Sequence, residues 1–286
     1  MADKIFNSKA EEIETSIRKR FHKTLLAKFC RAICEYDLIQ PNDKIAVCIS
    51  GGKDSMLMAK LFQELKRHNK IPFELVFLVM DPGYSPKNRA LIESNAQTLN
   101  IPIQVFETDI FENVAKVEKS PCYLCARMRR GHLYHQAQLL GCNKIALGHH
   151  YDDVIETILM GMLYGGQIQT MMPKLHSTNF AGMQLIRPMY LIREQDIIQW
   201  RDANQLNFIQ CACKFTEMNA HSDDLTSKRK AVKQLIAKLK TTDPQIERNI
   251  FRSMENVNLA TVITYKDKDG NYHNFKDDYH PKKLQD

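Results

Sequence analysis

Ser50-Gly51-Gly52-Lys53-Asp54-Ser55 sets a hydroxyl, two glycines, an ammonium and a carboxylate directly after the apolar run IAVCI and before a helix-like MLMAK. A buried strand that stops at a glycine pair and turns into a helix makes an anion site. Glycine lets the backbone approach an oxyanion, and the first N–H groups of the helix have no partner inside it. The spacing excludes a Walker loop, which needs four residues between its first glycine and its Gly-Lys pair. A simple glycine turn would need neither Lys53 nor Asp54. Together they suit a triphosphate and the magnesium ion that accompanies it.

A second strand-to-helix transition is spelled Gly148-His149-His150-Tyr151-Asp152-Asp153-Val154-Ile155-Glu156-Thr157. Helix capping alone accounts for carboxylates in a first turn. In a sheet that already has a phosphate loop, the same residues can close over one nucleotide. Asp152, ranked ahead of Asp153, is then the carboxylate expected to join Asp54 in holding magnesium. The third group is Pro121-Cys122-Tyr123-Leu124-Cys125, followed by Arg127, Arg129 and Arg130. Cysteines three apart at a helix start, beside arginines, favour thiolate. Such a pair is a zinc half-site, a redox pair or part of an iron–sulfur cluster. The other close pair is Cys211-Ala212-Cys213, and two thiolates from the first pair with one from the second leave a fourth position open. Cys30, Cys34, Cys48 and Cys142 read as packing residues.

The elements that must position these groups alternate. Helix 55–67, strand 73–79, helix 87–99, strand 102–106, helix 123–140, strand 143–147 and helix 152–163 predict a parallel sheet covered on both faces. In such sheets ligands bind beyond the carboxyl ends of the strands, where residues 50–55, 80–83 and 148–150 all fall. Residues 8–36 read as one amphipathic helix with Ile13, Ile17, Phe21, Leu25, Phe29 and Ile33 on its apolar stripe. Residues 164–182 form a long connection, QLIRPM at 184–189 is strand-like, residues 193–204 are helical, residues 225–257 are helical, and a polar tail follows. The expected organisation is an N-terminal helical extension (1–40), an α/β domain (41–205) and a C-terminal segment (206–286).

A length of 286 residues with 44% hydrophobic and 26% charged residues is that of an ordinary globular protein, and excludes a disulfide-stapled miniprotein despite the eight cysteines. The sequence has no apolar run of about twenty residues and no signal-like start, so a cytoplasmic protein is expected. A net charge of +7 favours a polyanionic partner. Lys228, Arg229, Lys230, Lys233, Lys238 and Lys240 fall in one acid-free helical stretch. With Arg127, Arg129 and Arg130 they are the candidate contacts to RNA phosphates.

The segments VCISGGKDS, PCYLCARMRRG, NKIALGHHYDDVIET, MLYGGQIQTMMPKL and LIRPMYLIREQDI, in this order, resemble the tRNA 2-thiocytidine synthetase family of PP-loop ATP pyrophosphatases, over roughly residues 10–258. The resemblance implies a Rossmann-like, adenine nucleotide alpha hydrolase-like α/β fold with helical N- and C-terminal extensions. It also implies a tRNA sulfurtransferase dependent on ATP, Mg2+ and a [4Fe-4S] cluster. In that reaction the C2 oxygen of cytidine 32 in the tRNA anticodon loop is replaced by sulfur through an O-adenylated intermediate. Carried over to this chain, Ser50, Gly51, Gly52, Lys53, Asp54, Ser55, Met80, Gly148 and Asp153 bind ATP, while Lys53, Asp54 and Asp152 are catalytic. Cys122 and Cys125 are cluster ligands. The family's later PCxxC is QCAC here, so the third ligand is Cys213, with Cys211 as the alternative. A cysteine desulfurase upstream and a homodimer are implied as well. The altered QCAC segment motivates a competing reading, a PP-loop enzyme acting on another tRNA base or a thiolated metabolite; a reading of a different class is a zinc-stabilised RNA-binding protein whose nucleotide site is only regulatory.

Overall fold

The computed structural model describes residues 8–68, 70–110, 121–209 and 224–279. A sheet of six strands organises it: β1 (Asp43–Ile49), β2 (Phe73–Asp81), β3 (Ile103–Glu107), β4 (Lys144–Ala146), β5 (Lys174–His176) and β6 (Gln184–Ile186). Their spatial order is β3-β2-β1-β4-β6-β5. All neighbours are parallel except β5, which pairs antiparallel with β6 at one edge. The mostly parallel sheet flanked by helices agrees with the expected fold class.

Alternation along β1 explains why that strand is central. Ile45, Val47 and Ile49 point to one face, into a cluster with Phe29, Met56, Ile92 and Trp200. Ala46 and Cys48 point to the other, against Leu78, Tyr134, Ile145 and Leu185. A strand buried on both faces reads as a continuous apolar run. Helices α3 (Lys53–His68) and α4 (Pro86–Thr98) follow β1 and β2, α5 (Pro121–Leu139) precedes β4, and α6 (Tyr151–Gly165) follows it. The chain therefore steps from β1 out to β3 and then crosses to β4 on the opposite side of β1. The crevice lies at this reversal, with both connections opening at strand carboxyl ends.

The N-terminal segment differs from the single helix expected over residues 8–36. It is divided into α1 (Lys9–Arg18), a wide π turn (His22–Leu26) and α2 (Ala27–Glu35). An α-helix turns once in about 3.6 residues, so each four-residue step of the apolar stripe overshoots by about 40°. Five such steps would carry Ile33 to the far side of a straight helix from Ile13. The break and the wider turn absorb that drift, and all six stripe residues are buried.

Three further departures concern the second half. The long connection after α6 contains the edge strand β5. The stretch expected to be helical over 225–257 is split into α8 (Asp224–Thr242) and α9 (Ile246–Ser253), after α7 (Glu194–Ala203). The polar tail holds a short hairpin, β7 (Thr264–Lys266) with β8 (Tyr272–Asn274), and a final helical turn, α10 (Lys276–Tyr279). No helix among the described residues is long and apolar enough to cross a membrane.

A buried ion pair ties the starts of β1 and β4 together. Lys144 Nζ lies 2.6 Å from Asp43 Oδ2 and donates to the Leu38 carbonyl at 2.9 Å. Asn143 Nδ2 donates to Asp43 Oδ1 at 2.7 Å. Removing one partner strands the other in the core, so Lys144→Met is expected to cost about 3–5 kcal/mol. Urea unfolding measures it, and a loss under 1 kcal/mol would show that the pair does not anchor the strands.

Candidate active site

The loop after β1 is shaped by what a side chain would strike. Gly51 has φ of 85°, and a Cβ there would fall 2.6 Å from Ile92 Cγ1. Its carbonyl accepts from the Ile209 N–H at 3.3 Å. Ser55, in the first turn of α3, braces the loop from within: its hydroxyl accepts from the Ser50 N–H at 3.1 Å and donates to the Gly52 carbonyl at 3.0 Å. A Cβ on Gly148 would lie 3.2 Å from the Ser55 nitrogen and 3.3 Å from the Asp54 carbonyl carbon. The two strand-to-helix turns thus touch through that glycine.

The charged groups sort into neighbours. Lys53 Nζ donates to Asp54 Oδ2 and to Glu194 Oε1, both at 3.2 Å. Asp54 Oδ1 and His150 Nδ1 are buried and make no hydrogen bond. His150 Nε2 lies 3.5 Å from Asp153 Oδ2 and 4.0 Å from Asp54 Oδ1. Asp153 Oδ2 also accepts from the His150 N–H at 3.0 Å, capping α6. Arg229 from α8 donates to Asp153 Oδ1 at 3.1 Å. Asp152 turns elsewhere: Arg193 donates to it at 2.9 and 3.3 Å, and the Glu194 N–H at 2.7 Å. It ties the start of α6 to the start of α7.

The sequence expectation ranked Asp152 ahead of Asp153 for the metal. Both oxygens of Asp152 accept hydrogen bonds, and both oxygens of Asp153 accept as well, from the His150 N–H and from Arg229, while Asp54 Oδ1 accepts none and lies 3.1 Å from Lys53 Nζ. Among the described residues no three His, Cys, Asp or Glu side chains are arranged to hold a metal ion alone. The donor set fits a magnesium ion that takes the rest of its oxygens from phosphates and water.

His149 faces a different partner. Arg187 Nε donates to its Nδ1 at 3.3 Å, which leaves the proton of the neutral ring on Nε2. Burial and the Arg187 charge push the imidazole down to about 4, and burial lowers Arg187 itself to about 10.

A cavity of about 780 Å³ opens beside the loop, lined by Lys53, Asp54, Arg129, Glu194, Phe208 and Ile209 among others. Arg129 donates to the Tyr84 hydroxyl at 3.3 Å. That hydroxyl donates to the Ser50 carbonyl at 3.5 Å. Asp81 shapes the turn by accepting from the Gly83 and Tyr84 N–H groups and from Arg89. Burial alone would raise its carboxyl, but these donors outweigh it and the group is held below its ordinary value. Met80, expected to bind ATP, is buried and packs with Ile110, and is not among the residues lining the cavity.

Of the expected RNA contacts, Arg127, Arg130 and Lys230 are exposed. Arg229 is paired with Asp153, and Lys228 sits 5.5 Å from the centroid of the Tyr164 ring. Cys122 and Cys125 lie in the first turn of α5, while Cys211 and Cys213 lie outside the described residues. Cys48 is buried, its thiol pushed up to about 12 by burial; Cys34, read as a packing residue, is exposed instead. Tyr84, Arg187, Arg193 and Glu194 were not singled out from the sequence. The one available signal was that each follows the end of a strand or opens a helix in a segment already noted for its motif.

A glycine loop at the sheet reversal, with a lysine and carboxylates converging on it, defines a PP-loop protein. The PP-loop domain family matches residues 14–215. A tRNA-cytidine(32) 2-sulfurtransferase from Anaeromyxobacter dehalogenans (strain 2CP-C) is 33% identical over 83% of this chain and 80% of its own. One from Shewanella amazonensis is 34% identical over 90% of this chain and 78% of its own. Among solved structures, the U34-tRNA thiolase NcsA from Methanococcus maripaludis with its [4Fe-4S] cluster superposes with a TM-score of 0.62 at 22% identity, covering 80% of this chain and 77% of that one. The chain belongs to the tRNA-cytidine(32) 2-sulfurtransferase family of PP-loop proteins.

Two predictions follow from this geometry. Gly148→Ala places a methyl against the Ser55 nitrogen and is expected to lower stability by about 1–3 kcal/mol and to weaken nucleotide binding. Gly165→Ala at the open end of α6 meets nothing within 4 Å and serves as the control. Thermal melts compare the two. His149 is neutral in the folded chain down to about pH 4, whereas the unfolded chain protonates near 6.5. The unfolded state therefore binds more protons in this window, and the stability is present above pH 6.5 and lost as pH falls towards 4. Urea midpoints for wild type and His149→Asn across that range should converge at low pH; parallel curves would contradict the assignment.

Proposed function

We propose that the protein is a cytoplasmic, ATP-dependent tRNA sulfurtransferase that exchanges the C2 oxygen of cytidine 32 for sulfur. The observation behind this reading is the 780 Å³ cavity, which joins Lys53 and Asp54 to Arg129 of the helix bearing Cys122 and Cys125. Its wall also includes Phe208 and Ile209, just ahead of Cys211 and Cys213 in the chain. A cavity bordered by the phosphate loop, by the helix that bears Cys122 and Cys125 and by the segment that leads towards Cys211 and Cys213 supports a reading in which oxygen activation and sulfur delivery share one space.

In this mechanism the triphosphate rests on the N–H groups of residues 50–55 with the Lys53 ammonium beside it. Asp54, with Asp152 or Asp153, would supply carboxylate oxygens to magnesium, and Asp152 also ties the two helix starts together. The cytosine O2 attacks the α-phosphorus, a new O–P bond forms, and pyrophosphate leaves with the electrons of the broken P–O bond. Developing negative charge on the phosphate is met by preorganised donors. Sulfide, delivered ultimately from a cysteine desulfurase, adds to C2, and the C–O bond breaks to release AMP. The donor set of two thiolates in one helical turn with Cys213, or Cys211 in its place, fits a [4Fe-4S] cluster with one iron open; when bound, it supplies the position that carries sulfur.

Arg127, Arg130 and Lys230 are exposed and suit tRNA phosphates, while Lys228 and Arg229 act from partly buried positions. The target base must leave its stack to enter, which favours a loop nucleotide. The proposed organisation is an N-terminal extension to residue 40, an ATP-binding domain to residue 205 and a C-terminal segment, working as a homodimer.

Mass spectrometry of tRNA nucleosides from a strain lacking the protein tests the reading. The 2-thiocytidine should vanish, return with the wild-type gene, and stay at least about 10²-fold reduced with Lys53→Ala. Unchanged 2-thiocytidine in the deletion strain would overturn it. After anaerobic reconstitution, Cys213→Ser should lose the visible iron–sulfur absorption and Cys211→Ser retain it; the opposite result would exchange their roles.

A further inference from the structure

Helix α8 was expected to offer its cations to RNA, yet one of its faces belongs to the nucleotide site. Val232 and Ile236 are buried against Val154, Ile155 and Ile158 of α6. Positions 229, 232, 233 and 236 share a helical face, so Arg229 and Lys233 come down over the starts of α6 and α7. Arg229 meets Asp153 there. Lys233 Nζ donates to Glu194 Oε2 at 2.5 Å, and Glu194 Oε1 accepts from Lys53 Nζ at 3.2 Å. One carboxylate thus bridges the lysine of the phosphate loop and a lysine of α8.

We infer that Lys233 is a positioning residue for ATP, holding Glu194 so that this carboxylate does not compete with the phosphates for Lys53. Lys53, Asp54, Glu194 and Lys233 make a quartet of two cations and two anions. Without Lys233 the quartet carries a net negative charge beside an incoming polyanion, and Glu194 has both oxygens free for Lys53. At the separations involved, each such charge changes the local potential substantially. The tight hold on Glu194 agrees with its titration. Burial raises the carboxyl, but the hydrogen bond from Lys233 and the Lys53 charge outweigh it and leave the group at about 2. Glu194 is therefore a carboxylate throughout the physiological range.

The inference rests on the reading of residues 50–55 as an ATP site, and isothermal titration of the full chain with MgATP tests both. Lys233→Met should raise the Kd about tenfold. Glu194→Gln should lower it by a few fold, and the double variant should return to within about twofold of wild type. Recovery in the double variant is the decisive readout, because a α8 merely loosened by loss of Lys233 would not be redocked by neutralising Glu194. Lys238→Met, an equal change of net charge at an exposed position of the same helix, should leave the Kd within twofold. Equal ATP affinity in wild type and Lys233→Met, or a double variant as weak as Lys233→Met, overturns the inference alone. A wild-type chain that binds no ATP overturns the underlying reading and the inference with it.

Discussion

The site depends on a close approach of two backbones. Gly148 has no side chain, and a Cβ there would sit 3.2 Å from the Ser55 nitrogen, closer than side chains ordinarily pack. Only because β1 and β4 are adjacent, with their following turns in contact, do α3 and α6 begin side by side. Two helix starts then concentrate unpaired N–H groups and positive dipole ends in one crevice. Carboxylates from both turns gather at the same place. Asp54 Oδ1 accepts no hydrogen bond there and has only the Lys53 ammonium, 3.1 Å away, beside it, so the crevice holds a hard oxygen suited to a cation.

Charge is balanced around that crevice by elements from the second half of the chain. Arg193 holds Asp152 and also pairs with Glu247 of α9, and Lys240 of α8 pairs with Glu247 in turn. Arg229 serves Asp153, while Lys233 serves Glu194. The C-terminal helices thus set how the carboxylates of the site are aimed, as well as covering α6. A basic helix in a sequence suggests a surface for phosphates. Here part of its charge is turned inward by the burial of Val232 and Ile236, and only the remaining stripe is available to an external polyanion.

The N-terminal helices show how packing overrides local periodicity. Their apolar residues recur every four positions, a spacing no straight α-helix can keep on one side. Burial of all six residues in the core that also holds Ile45, Val47 and Ile49 outweighs the regular hydrogen-bond ladder, and the helix opens into a wide turn. The same core supports Ile92 against Gly51, so the shape of the phosphate loop is coupled to packing far from any ligand.

Much of the fold and part of the site were legible in the sequence. Uninterrupted apolar strands between amphipathic helices specify a parallel sheet, because only burial on both faces permits such runs. The glycine pair, Lys53 and Asp54 specify an anion site, because few other residues let a backbone approach phosphate at a helix start. What tertiary structure decided is which partner each carboxylate takes, Arg229 for Asp153 and Arg193 for Asp152. Asp152 and Asp153 are adjacent and chemically equivalent in the sequence, and neither type nor spacing separates them. Arg193, forty residues away, occupies both oxygens of Asp152. Tyr84, Arg187 and Glu194 were illegible for the same reason. Their roles come from partners brought close by the sheet order, and a side chain's partner across the fold is written in no local pattern.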